Sequence, residues 1–118
     1  MNKINVVNKA NHAPTDRDFY VGRGSILGNS YTSKKLEETK ALYQVSSVEE
    51  AIQLYDNALR TRIKLNERSI INEFHKILKA LEEGDINLVC YCAPKQCHAD
   101  VIKRILTGMY VKKLMLEK

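Results

Sequence analysis

The chain has 118 residues, 44% of them apolar and 28% charged, a composition that excludes a disordered polypeptide and fits one domain spanning residues 1–118 with a core that needs no disulfides. Its longest apolar runs are a few residues, against the roughly 20 that a bilayer span requires, and the opening MNKINVVNKANHAP lacks the apolar stretch of a signal peptide. The net charge of +5 favours an anionic partner such as nucleic acid, a nucleotide or another phosphorylated ligand, and a solvated basic face that binds nothing in particular stands beside that reading.

Residues 3–8, KINVVN, read as a first strand on Ile4, Val6 and Val7. KANHAPTDRD follows as a polar loop. Residues 19–22, FYVG, are rich in strand formers and end at a glycine. RGSILGNSYTSKK then carries two more glycines, an asparagine and several hydroxyls, the composition of a functional loop rather than of an element.

A helix is expected at about 47–65, because SSVE and SVEE both fit a capping box and Val48, Ala51, Ile52, Tyr55, Ala58, Leu59 and Ile63 recur at helical spacing. A second helix starts near Ser69 on Ile70, Phe74, Ile77, Leu78 and Leu81, and Gly84 is expected as its left-handed cap. Residues 86–92, INLVCYC, read as a buried central strand, and APKQ turns the chain. HADVIKRILTGMY gives a third helix on Val101, Ile102, Ile105 and Leu106, which Gly108 ends or bends. VKKLMLEK fits a further helical turn and an edge strand equally.

Strands separated by helices predict a layered α/β domain, of two or three layers, with a small, largely parallel sheet flanked by helices. Ligands in such sheets sit beyond the carboxyl ends of the strands. Both loops of unusual composition, GRGSILGN and CAPKQCHAD, fall at predicted strand ends.

In the first loop, glycines such as Gly24 and Gly28 allow backbone N–H groups to approach a ligand, and Arg23 supplies a fork for phosphate. Ser25 and Asn29 add directional hydrogen bonds to a sugar or base. The spacing matches neither G-x-G-x-x-G nor a P-loop, so a plain glycine-rich connection stands beside the binding reading. In the second loop, Cys90, Cys92, Cys97 and His98 have the atoms for zinc but not its usual C-x2-4-C spacing, so no metal and no cofactor are expected. Three cysteines within eight residues do not form a secreted disulfide framework either. Cys97 and His98 begin a helix, where an anion is favoured. Lys95 and Cys92 are assigned to ligand contact, and His98 and Asp100 to acid–base chemistry. The bland reading beside these is packing by the cysteines and capping by His98 and Asp100.

Together the loops FYVGRGSILGNSY and CYCAPKQCHADVI, with SVEEAIQLYDNALR between them, resemble a family of small bacterial and bacteriophage proteins defined only as a domain of unknown function. The resemblance covers about residues 4–106, with Ser30 where the family has proline and Ala99 where it has glycine. It implies motif positions at Arg23, Ser25, Gly28, Asn29, Cys92, Pro94, Cys97, His98 and Asp100. The family more distantly resembles Rossmann-like domains that bind or cleave nucleotide derivatives.

The expectation is therefore a cytoplasmic protein, in the host cytoplasm if a bacteriophage encodes it, that binds or hydrolyses a nucleotide-like small molecule between the two loops. A homo-oligomer is compatible with this, and no membrane partner is expected. The alternatives are a nucleic-acid-binding module using Lys34, Lys35, Lys103, Arg104, Lys112 and Lys113, and a small zinc-stabilised interaction protein.

Overall fold

The computed structural model describes residues 1–34, 36 and 41–117. Strands β1 (Ile4–Asn8) and β2 (Asp18–Tyr20) are followed by two short strands, β3 (Tyr31–Thr32) and β4 (Tyr43–Gln44). Helices α1 (Val48–Lys64) and α2 (Arg68–Glu83), strand β5 (Ile86–Cys90) and helix α3 (Ala99–Leu116) complete the order. The fold is α/β, with a three-stranded sheet in the order β1-β5-β2 whose pairs are both parallel. A layered, Rossmann-like arrangement accommodates it.

Residues 86–90 form the central strand because they are apolar where it matters: Ile86, Leu88 and Cys90 are fully buried. Register places Val6 and Phe19 opposite Leu88, and Ile4 opposite Ile86. This face packs into one cluster with Ile70, Phe74, Ile77 and Leu81 of α2 and Val101, Ile102, Leu106 and Tyr110 of α3. Alternation puts Asn5, Asn87 and Asp18 on the other face, where they satisfy one another. Asn5 Nδ2 donates to Asn87 Oδ1 at 3.3 Å, and Asn87 Nδ2 donates to Asp18 Oδ1 at 3.0 Å. His12 Nε2 lies 3.0 Å from the same carboxylate, and Thr15 N–H donates to it at 3.0 Å. Burial pushes the Asp18 carboxyl up, but the hydrogen bonds from Thr15, Asn87 and His12 outweigh it and hold the group well below the carboxylate range.

Helix α1 starts as its capping box requires. Ser47 is the N-cap and accepts from Glu50 N–H at 3.0 Å, while Ser46 Oγ donates to the Glu50 carboxylate. Three details depart from expectation. The strand at FYVG is displaced by a residue or two to Asp18–Tyr20, and β5 ends at Cys90, two residues early. Gly84 is extended, with φ 168°, rather than left-handed. The end of α2 is instead held by Arg17, which donates to the Ala80 carbonyl and, at 3.1 Å, to Asp85 O. A Cβ at Gly84 would sit 3.3 Å from that guanidinium, so the glycine makes room for the arginine.

Gly108 does not end α3, which runs to Leu116 and so settles the C-terminal segment as helix. Lys113 of that extension pairs with Glu82 of α2. The pairing of β3 with β4, also parallel, had no counterpart in the sequence reading. Among the described residues no helix is long and apolar enough to cross a membrane.

Two outcomes follow. Ile77→Ala should cost about 3 kcal/mol in urea unfolding, since it empties a site of zero exposure between α2 and the sheet. A carboxyl depressed in the folded state stabilises above its unfolded pKa and loses that contribution as pH falls. The stability gap between the wild type and Asp18→Asn, read from urea midpoints, should therefore narrow steadily as pH drops through and below the ordinary aspartate range.

Candidate functional site

Parallel pairing puts the carboxyl ends of β2 and β5 side by side, so the loops that follow them meet. Their junction is His98, only 7% exposed. Its Nε2 faces the Val21 carbonyl just past β2, and Val21 N–H donates to Val89 O at 2.9 Å. A carbonyl only accepts, so Nε2 carries the proton, and in the neutral ring Nδ1 is the acceptor. Nδ1 lies 3.4 Å from Cys97 Sγ. Burial holds the His98 pKa below its ordinary value, the Arg23 charge pushes the same way, and the ring is neutral at neutral pH. Tyr55 of α1 packs edge-on to the ring, centroids 5.0 Å apart, and donates to Leu27 O at 2.7 Å. The histidine thereby fastens β2, α1 and the start of α3 together.

The first loop is a pair of self-bonded turns. Ser25 N–H donates to Gly22 O and Gly28 N–H to Ser25 O, both at 3.1 Å, and Ser25 Oγ donates to Gly22 O at 2.6 Å. Gly24 takes φ 94°, and a Cβ on Gly28 would lie 2.8 Å from Gly22 O. The glycines serve the turn, and the N–H groups of Ser25 and Gly28 are spent inside it. Arg23 spans the loop, with Nε donating to Asn29 O at 3.0 Å and Nη2 to Tyr31 O at 2.9 Å. Asn29 is buried, donating to Ala51 O at 3.3 Å and accepting from Tyr31 N–H at 2.9 Å.

Between the loops lies a cavity of about 460 Å³. Gly22, Arg23 and Asn29 reach it from the first loop, and Cys92, Gln96, Cys97 and His98 from the second. Tyr20, Tyr31 and Tyr91 supply aromatic walls, Thr32 of β3 is joined by Ser33 and Lys34 just after it, and Val48, Ala51 and Ile52 of α1 form an apolar side. Among the described residues two cations and no carboxylate line it. The Tyr20 and Tyr91 rings meet edge to face at 6.2 Å, with Lys9 Nζ 4.9 Å from the Tyr20 centroid. Tyr20 also donates to Arg23 O at 3.0 Å.

Of the residues singled out by sequence, Arg23, Asn29, Cys92, Cys97 and His98 are brought together at the cavity. Gly24, Ser25 and Gly28 build the turn beside it, and Lys95 is exposed on the turn after β5, its N–H donating to Cys92 O at 2.8 Å. Asp100 is exposed and accepts from Cys97 N–H at 3.2 Å, a capping contact at the start of α3. Lys34 lines the cavity, Lys103, Arg104 and Lys112 are exposed on α3, Lys113 pairs with Glu82, and Lys35 lies outside the described residues. No metal-holding group of His, Cys, Asp or Glu occurs among the described residues. The tyrosines went unassigned in the sequence. Their signal was local: Tyr91 sits between two cysteines of one loop and Tyr31 two residues after Asn29 of the other.

The family model described as Domain of unknown function (DUF4326) matches residues 4–108, and the chain belongs to that family. No curated protein and no solved structure matches it.

Because the Arg23 guanidinium ties two loop carbonyls, Arg23→Ala should lower stability by about 1–2 kcal/mol even with no ligand present, measured by thermal or urea unfolding. Arg23→Lys, lacking the fork, should recover only part of that loss.

Proposed function

We propose that this protein binds a nucleotide or nucleotide-derived small molecule in the cavity between the GRGSILGN and CAPKQCHAD loops. One observation carries the reading: among the described residues, a cavity of about 460 Å³ combines two cations, three tyrosine rings and no carboxylate. That volume is in the usual range for small-molecule sites of roughly 300–1,000 Å³. Tyrosine faces suit a base, and Arg23 with Lys34 suits phosphate. Thr32, Ser33, Gln96 and the protein backbone offer hydrogen bonds for a sugar. The position beyond the carboxyl ends of parallel strands is where ligands of such sheets are held.

Binding is favoured over hydrolysis by the state of the two acid–base candidates. Both ring nitrogens of His98 face partners, Val21 O and Cys97 Sγ, and the Asp100 carboxylate caps α3. A hydrolytic role would require one of them to leave its partner first. A binder of this kind acts by holding its ligand, which in a bacteriophage would mean withholding a signalling nucleotide of the host.

Lys34 is the informative residue, since it is exposed and its side chain is not called on to hold the loop. Isothermal titration with adenosine and guanosine mono- and diphosphates should show binding that the parent nucleosides lack. Lys34→Ala should weaken it roughly tenfold or more with unchanged thermal stability, as expected for one charge-assisted contact. Equal affinity for nucleosides and nucleotides, or no effect of Lys34→Ala, would overturn the reading.

A further inference from the structure

The cavity wall carries a second chemistry that ligand binding does not use. All three cysteines are free, and they differ in access: Cys92 is exposed, Cys97 is 2% exposed, and Cys90 is sealed. The Cys97 sulfur faces His98 Nδ1 at 3.4 Å and lies close enough to Cys92 for the two thiols to influence each other. Cys92 opens a tight turn closed by Lys95 N–H on Cys92 O at 2.8 Å, Cys97 follows two residues after Lys95, and both cysteines line the cavity. Cys90 does not line it and donates to Val7 O at 3.7 Å.

We infer that Cys92 and Cys97 form a reversible oxidation site, which hydrogen peroxide converts to a disulfide across the turn between β5 and α3. Cys92 is the residue that meets the oxidant. The neighbouring Cys97 thiol, with the Arg23 and Lys34 charges behind it, outweighs partial burial and holds the Cys92 thiol below its ordinary value, which favours its thiolate. An accessible thiolate beside a second thiol is the arrangement from which sulfenic acid resolves to a disulfide.

The Cys92 thiolate attacks one peroxide oxygen and breaks the O–O bond. Cys92 becomes a sulfenic acid, and the departing hydroxide takes up a proton as water. The Cys97 sulfur then displaces the sulfenic hydroxyl, which leaves with the Cys97 proton as a second water. Two thiols are oxidised and one peroxide is reduced. The product lacks the S–H that faces His98 Nδ1, so oxidation leaves that nitrogen as an acceptor toward the cavity. The site stands on the cysteine cluster and does not depend on the nucleotide reading.

The test uses the full chain without ligand. The protein is treated with hydrogen peroxide, free thiols are alkylated, and trypsin cuts between the two cysteines at Lys95. Peptides 80–95 and 96–103 should appear joined, fragmentation should place the bond on Cys92, and dithiothreitol should separate them. Cys92→Ser, a change at an exposed position, should abolish the joined product. Cys92 found as sulfinic or sulfonic acid with Cys97 still alkylatable, or a bond that runs through Cys90, would overturn the inference.

Discussion

The contact on which the rest of the site depends is the one between His98 and the Val21 carbonyl. It joins the end of an edge strand to the start of the last helix, two points 77 positions apart in the chain. A buried imidazole costs free energy unless its nitrogens are satisfied. Here one faces Val21 O and the other Cys97 Sγ, while the Tyr55 ring packs edge-on against it. The His98 ring thus stands where the two loops meet, a placement that brings Arg23 of one loop into the field of Cys92 on the other. Without it the two loops would merely be neighbours.

The electrostatics of the cavity follow from the same arrangement. Among the described residues, three carboxylates near these loops are committed elsewhere: Asp18 to the polar ladder on the far face of the sheet, Asp100 to the helix start, and Glu50 to the α1 cap. The cavity is left with Arg23 and Lys34 and with tyrosine surface. A site with uncompensated positive charge and aromatic walls favours a flat anion, and the same charges favour the thiolate of Cys92.

Much of the scaffold was legible in sequence because its signals are local. The Ser47 cap, the apolar stripes of α1 and α2, and the apolar run at 86–92 each act within a few residues, and each element formed within its pattern or a residue from it, β5 stopping at Cys90. Elements shifted where a distant group intervened. Arg17 took over the end of α2, so Gly84 needed no left-handed turn. The C-terminal segment became helix where Lys113 meets Glu82, a pairing no local pattern announces. The parallel pairing of β3 with β4 joins two-residue strands, too short to carry a periodicity.

The sequence by itself determined the class of fold, the two loops that carry the site, and the glycines that let the first loop turn upon itself. Composition and spacing suffice for these because they depend on backbone freedom and short-range packing. Only the tertiary structure decided what each polar side chain faces. It turned Arg23 and Asn29 partly inward to hold their own loop, gave Asp100 to the helix start, and engaged both nitrogens of His98. It also raised Tyr20, Tyr31, Tyr91 and Lys34 to the cavity wall. The reason is that a polar group's role is set by the partner it meets, and here those partners come from β2, β3, α1 and α3, brought together by parallel pairing around one central strand.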